Sequence, residues 1–509
     1  MDEGLDDRFD VEDWAYVGEG KMRIACANVN PSHHMFGLLL SIPKLNDTGA
    51  CSVSAATGSL VSDVATITGI MKDCFTTSYL SDVLRIVQLE QSFTAELTRR
   101  LDSQRPAGRK KDNELLLLTS ALLQRNFNHL HRPLRSYGPL PLRATITIEL
   151  KVKSGLKSSS PFLPDDRLIK LKHSTFGLQQ MYTHAKAKQS EDLALSWGTL
   201  GAYSRYDPSK LCSRQYADVR DSLNVLLGSP RNNLRISING RHLYGWDKVD
   251  IGALHRGMAS AHNNLCGDES VGAHLRSTLD ALASLLCAED ILERLQAMQR
   301  LDLLDAEGAA LAFDRIVELA GSDDATTVIL QQLHRPIQPS LFAFALQGLS
   351  LAPPVDCPPI VVELVRLKIH EGLSMEDVDE RRRAALSLLA SASMAEAALL
   401  LQLWMVALIA KDASVIVSIQ RMDGPHTSAP NDAGVWEGRI VQRQSSSHCG
   451  LVFPPSGGSQ GDSEEVAGYA YNVGIVDIGL KSVSKAKQKS VHDAAMCAMC
   501  QGLDSTHFV

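Results

Sequence analysis

Residues 408–419 read LIAKDASVIVSI, where a lysine and an aspartate interrupt two stretches apolar enough to be buried. Ionised side chains are rarely buried without partners, so Lys411 and Asp412 mark either a helix-to-strand junction meeting water or the edge of a working site. A second carboxylate, Asp477, ends the β-branched run VGIVD. An aspartate there suits Mg2+, which takes one or two carboxylates together with phosphate oxygens, and it equally suits a helix cap. Just beyond it Lys481, Lys485 and Lys489 stand four apart, forming one ridge if the segment is helical. Like charges at that spacing repel by about 0.2–0.5 kcal/mol per pair, a strain that a polyanion would relieve; a basic patch with no ligand has the same spacing. In ATITIELKVKSG the alternation puts Glu149, Lys151 and Lys153 on one strand face and Ile148, Leu150 and Val152 on the other. Such a charged face is a solvated edge unless it lines a cleft. In SPRNNLRISING, Asn232 and Asn233 follow a proline turn and precede a strand carrying Arg235; paired asparagines in a turn commonly serve the backbone. Gly18 and Gly20 sit between two β-prone runs in WAYVGEGKMRIACANV. That context is strand, turn, strand, unlike a dinucleotide fingerprint, whose glycines open a helix, and an ordinary hairpin needs no more.

These groups need elements to hold them. Ser81 to Leu101 has apolar residues on one side, which predicts an amphipathic helix capped by Ser81. NELLLLTSALL predicts a buried strand leading into a crossover, and 275–320 and 360–403 are mostly helical in pattern. The most apolar run, Ala397 to Ala410, is 14 residues long and carries Gln402. A membrane span needs roughly 20 apolar residues, so the expectation is a buried helix running into a strand, with no span. The Ser-, Gly- and Pro-rich stretch 444–468 is expected to be a mobile insertion. At 509 residues, 44% hydrophobic and 21% charged, the chain is long enough for two or more domains with a sizeable core. With 51 Lys and Arg against 58 Asp and Glu, bulk charge does not point to nucleic acid or to an anionic membrane, so any anion-binding surface must be local. Ten scattered cysteines behind an acidic N-terminus, with no signal peptide, suggest a reducing compartment rather than a disulfide framework. Cys497 and Cys500 in CAMC have no second pair nearby to complete a metal site.

Taken in order, these pieces resemble the inositol-pentakisphosphate 2-kinase family. Its Gly-Glu-Gly turn is matched by Gly18, Glu19 and Gly20, and its arginine-proline pair with a further arginine by Arg105, Pro106 and Arg109. Glu149, Lys151, Lys153 and Gly155 match its Glu-x-Lys-x-Lys-x-Gly signature, and PRNNLR at 230–235 its Pro-x-Asn-Asn-Leu-Arg. LDLLDAEG at 301–308, AKDAS at 410–414 and DIGLK at 477–481 are similar to three further signatures. The resemblance covers roughly 14–490 and implies an α+β, two-lobed inositol polyphosphate kinase fold: a smaller β-rich lobe over 1–120 and a larger helix-rich lobe over 121–509, with a helical insertion at about 250–405 and a mobile loop at about 421–468. It implies a kinase that moves the γ-phosphoryl of ATP to the 2-hydroxyl of inositol 1,3,4,5,6-pentakisphosphate, giving phytate, with an inositol-phosphate-binding pseudokinase as the alternative.

By the same resemblance Asp412 is the catalytic carboxylate and Asp477 holds Mg2+ on the ATP phosphates. Gly18, Glu19, Gly20, Lys21, Glu149 and Arg235 serve the nucleotide, and 118–121 is the hinge meeting adenine. Arg109, Lys151, Lys153, Asn232, Asn233, Lys481 and Lys485 grip the substrate phosphates. The chain departs from the family pattern at Ser41, where a basic residue is expected and Lys44 is the nearest cation. The family's Arg-Phe-x-Met-His-Gln run is TFGLQQ here, so two substrate-side cations become Thr175 and Gln179; a following lysine is Thr183 and a late tyrosine is Lys489. Lys172, His173, His184 and Lys186 are candidates to compensate. Of a His, Cys, Cys, His zinc set only Cys357 and His370 keep the spacing, so structural zinc is expected to be lost. A monomer in the nucleus or cytoplasm of a eukaryotic cell, without nucleic-acid partners, completes the expectation.

Overall fold

The computed structural model describes residues 9–501 except 20–22, 46–56, 59, 62–63, 66, 76–78, 82–83, 106–109, 111–115, 129, 131–143, 190–203, 246–247, 262–267, 322–334, 350–351, 422–433, 437–438, 445–446, 453–468 and 477–484. Alternating apolar residues near the N-terminus build an antiparallel sheet: β1 (Trp14–Glu19), β2 (Arg23–Asn28), β3 (Leu38–Leu45), β4 (Leu84–Gln88), β5 (Leu116–Leu117) and β6 (Ser120–Arg125). Their order is β1-β2-β3-β6-β4, with β5 on β3. The glycine turn is a hairpin as expected, with Glu19 opposite Ile24 and a register shift between Tyr16 and Gly18. Trp14, Ile24, Leu40 and Ile42 are fully buried with Leu97 and Leu101 of the helix Gln91–Gln104.

Two expectations need correction here. The segment Ser81–Leu101 is not one helix: β4 occupies Leu84–Gln88 and the helix begins at Gln91. Ser81 does not cap that helix, whose N-cap is Glu90; its Oγ accepts from the Arg125 amide of β6 at 2.7 Å. The periodic signal failed because Leu84, Ile86 and Val87 suit a pleated strand as well as a helix face. The single strand expected in NELLLLTSALL is two strands parted at Leu118, whose amide donates to the Pro43 carbonyl at 3.0 Å. Residues 118–121 therefore lead from one N-terminal strand into another, and this sheet extends to Arg125, past the expected boundary at 120.

The second sheet is also antiparallel: β7 (Ile146–Lys151), β8 (Leu234–Ile238), β9 (Arg241–Gly245), β10 (Ser414–Arg421), β11 (Gly434–Trp436), β12 (Arg439–Gln444), β13 (Ser447–Val452) and β14 (Tyr469–Val476). It runs β11-β12-β13-β14-β10-β7-β8-β9. Three of these strands fall within 421–468, so that stretch is in part sheet; its Ser and Gly content hid a register supplied by β14. Residues 453–468 lie outside the described residues.

Helices cover this sheet, among them Asp268–Ala288, Ile291–Arg300, Asp305–Ala320, Pro359–Arg366 and Met375–Ser391, where helical pattern was expected. The innermost is Met394–Asp412, opened by a capping box in which Ser393 and Glu396 satisfy each other's backbone amides. Every residue from Leu400 to Ala410 is buried. Among the described residues it is the one helix long and apolar enough to cross a membrane, yet its surroundings are the protein's own core. The fold is thus α+β, strand-rich at the N-terminus and helix-rich beyond it.

Candidate active site

The helix Met394–Asp412 ends because Ala413 turns to extended geometry (φ −59°, ψ 147°), and the β-branched run that follows enters β10 at Ser414. Register then gathers the signatures. Ser414 lies opposite Lys151 and Ile416 opposite Glu149, while on the other side of β7 Glu149 faces Arg235 of β8. Ser414 Oγ donates to Glu149 Oε1 at 3.0 Å, and Arg235 Nη1 stands 3.9 Å from Glu149 Oε2. Beyond β7 the chain turns sharply at Lys153, whose φ of 60° is left-handed for a residue with a side chain. That turn brings Lys153 Nζ to 3.3 Å from Asp412 Oδ1, with the aspartate side chain 53% exposed.

A buried glutamine fixes both halves of this pair. Gln299 Nε2 donates to the Lys153 carbonyl at 3.0 Å and to the Ala410 carbonyl at 3.2 Å. Gly155, the last residue of the Glu-x-Lys-x-Lys-x-Gly signature, allows the chain to pass Ser209: a Cβ there would sit 2.6 Å from the Ser209 amide nitrogen. The Lys151 amide donates to the Asn233 carbonyl at 2.9 Å, and the Asn233 amide to the Pro230 carbonyl at 2.8 Å, so the asparagine turn is stitched to β7. Asn233 is buried and Asn232 exposed.

Lys411 and Asp412 part company. Asp412 faces outward, whereas Lys411 turns inward to pair with Asp302. Burial alone would lower the Lys411 pKa, but Asp302 and Asp305 outweigh it and hold the ammonium charged. The same LDLLDAEG signature anchors a second buried cation: Lys170 Nζ lies 2.9 Å from Asp305, 3.3 Å from Glu307 and 2.8 Å from Asp493 of the C-terminal helix Lys485–Gln501. Burial pushes the Asp305 carboxyl up, but Lys170 and Lys411 bring it well below the usual range. Arg167 adds a pair with Glu307. The first of these two cations stands beside Asp412 in the chain, so the signature acts as scaffold behind the site.

The other expected residues divide three ways. Glu19 is buried between Lys44 (3.0 Å) and Arg105 (3.1 Å), an ion cluster inside the N-terminal sheet. Lys44 is thereby engaged and does not stand in for a cation at Ser41. Gly18 borders open space, with nothing within 4 Å of a Cβ built there. Gly20, Lys21, Arg109, Asp477 and Lys481 lie outside the described residues, as does the side chain of Lys485. Val476 pairs with Ser414, so β14 ends beside the Asp412 junction. Among the described residues no three His, Cys, Asp or Glu side chains gather as a metal site. Cys497 and Cys500 sit in an apolar cluster with Leu178 and Met181, where burial pushes their thiols up to about 12 and about 11. Thr175 opens the helix Thr175–Gln189; on it Gln179 and Thr183 bond to each other, and Lys186 lies over the Tyr182 ring at 4.6 Å.

A family description, "Inositol-pentakisphosphate 2-kinase", matches residues 16–495, which makes this protein a kinase. The chain belongs to the inositol-pentakisphosphate 2-kinase family. It is 24% identical over 326 residues to the inositol-pentakisphosphate 2-kinase of Arabidopsis thaliana, covering 59% of this chain and 69% of that protein. To the inositol-pentakisphosphate 2-kinase IPK1 of Oryza sativa subsp. indica it is 23% identical over 341 residues, covering 60% and 70%.

Proposed function

We propose that the protein transfers the γ-phosphoryl of ATP to the 2-hydroxyl of inositol 1,3,4,5,6-pentakisphosphate, releasing ADP and inositol hexakisphosphate. The observation that carries this reading is the half-exposed Asp412 carboxylate, oriented by Lys153 at 3.3 Å at the end of a rigid core helix. Asp412 accepts the proton of the attacking hydroxyl; the oxygen bonds to the γ-phosphorus as the bond to the β,γ-bridging oxygen breaks. Such a reaction needs little covalent help and much positioning. Lys151 and Lys153 project from the end of β7 on the side of the acceptor phosphates, with Asn232 and Asn233 beside them through the Lys151–Asn233 backbone bond. Lys481, Lys485 and Arg109 belong to the same grip. Glu149 and Arg235 face the nucleotide with Gly18, Gly20 and Lys21. Asp477 would hold Mg2+ on the phosphates, and the ion would supply positive charge against the charge developing in transfer. The protein works as a monomer in the nucleus or cytoplasm. Incubating it with Mg2+, ATP and inositol pentakisphosphate should yield hexakisphosphate and ADP in equal amounts; binding of the pentakisphosphate without any product would reject transfer.

A further inference from the structure

Behind the Lys153–Asp412 pair lies a cavity of about 210 Å³, with Ser154 and Lys411, the chain neighbours of that pair, in its wall. Three further cations line it: Lys157, which pairs with Glu371 at 3.5 Å, and two more, Arg300 from the end of its helix and Lys368 from the loop after the helix Pro359–Arg366. Among the described residues neither Arg300 nor Lys368 has a carboxylate within ion-pair distance; Arg300 donates to the Ala345 carbonyl and to Gln296. The two carboxylates in the wall, Asp302 and Asp305, are already held by Lys411 and Lys170. Hydroxyls of Ser158 and Thr175 complete the polar lining.

Half-buried cations side by side without a counter-ion are costly, and a fold gains nothing by keeping them unless something anionic arrives. The cost shows in Lys368, whose pKa is pushed down to about 8 by burial and by Arg300 beside it. A planar guanidinium next to an ammonium and hydroxyls is a phosphate-recognition set. A cavity of about 210 Å³ has room for a phosphate group.

We propose that this cavity is a phosphate subsite in which Arg300 and Lys368 receive one phosphate monoester group. In its fuller form, with a ring phosphate as occupant, it rests on the substrate reading above.

The test measures binding without ATP, on the full chain, with inositol hexakisphosphate and inorganic phosphate as probes. Lys368→Met should weaken hexakisphosphate about tenfold or more, the loss of one charge-assisted hydrogen bond, and should raise the melting temperature without ligand. In turnover it should raise KM for the inositol phosphate and leave that for ATP. Weakened inorganic phosphate with unchanged hexakisphosphate would keep the phosphate subsite and identify a free anion as its occupant. Parent-like affinity for both probes, or a lowered melting temperature, would overturn the proposal. Because binding is read apart from turnover, a parent that binds through Lys368 but makes no product rejects only the transfer reading.

Discussion

Replacing Gln299 by leucine tests whether the site is held from behind. Leucine fills similar space, so the change deletes two hydrogen bonds, to the carbonyls of Lys153 and Ala410 at 3.0 and 3.2 Å, with little cavity. Each bond is worth about 1 kcal/mol net, and a buried acceptor left bare costs about 1–3 kcal/mol, so about 2–4 kcal/mol of stability should be lost. Both carbonyls belong to segments that carry the reacting groups, Lys153 itself and the residue two before Asp412. A shift of about 1 Å can cost about 100-fold in rate, so kcat should fall 10- to 100-fold. Gln402→Leu is the matched control: Gln402 is equally buried in the helix Met394–Asp412 and donates to the Arg335 carbonyl at 2.6 Å, about 15 Å along the helix from Asp412. It should lose comparable stability and keep kcat. Urea melts of both variants, with steady-state kinetics at saturating ATP and inositol phosphate, separate the two effects. If Gln299→Leu is destabilised like Gln402→Leu yet turns over like the parent, the positioning argument is wrong.

Asp412→Asn should lower kcat by about 10² to 10⁴, roughly 3–5 kcal/mol of barrier, while changing stability by less than about 1 kcal/mol because the side chain is half exposed; parent-like turnover would reject its role as base. Glu19→Gln should destabilise by about 3–5 kcal/mol in a denaturant melt, since it leaves Lys44 and Arg105 without their shared carboxylate. Asp305, whose folded pKa lies below its unfolded one, contributes stability that is present above about pH 4 and lost as the pH falls below it. Glu307 is shifted the opposite way by burial and by Asp305, so the informative measurement is the difference between parent and Asp305→Asn, which should shrink in acid.

The alternation in ATITIELKVKSG was readable from side-chain chemistry alone, and Ile148, Leu150 and Val152 are fully buried while Glu149, Lys151 and Lys153 are not. The helix-to-strand passage at 412–414 was equally legible, because a long apolar run gives way to β-branched residues. The inward turn of Lys411 was not, since its partner Asp302 lies 109 positions away and adjacent polar residues carry no mark of direction. Motif membership also concealed roles: Glu19 and LDLLDAEG matched like the rest, yet they serve buried ion clusters. Gln299 belongs to no motif, and one glutamine on an amphipathic helix gives no signal before the two carbonyls it joins are known. Composition hid the strand at 447–452 because a Ser- and Gly-bearing strand forms when neighbours on both sides dictate the pairing.

The second sheet carries a consequence for how the protein is made. Its centre is β10, which pairs with β7, some 260 residues earlier, and with β14, the last strand in the chain. Neither neighbour of β10 is local, so the sheet closes only through contacts of high sequence separation, which are slow to form. On the ribosome β10 emerges before β14 exists to pair with its second edge. Until Val476 is out, β10 has an open edge, a state prone to aggregation that invites chaperone binding. The kinase should therefore appear late and all at once, with fragments ending before β14 recovered as inclusion bodies rather than as weak enzymes.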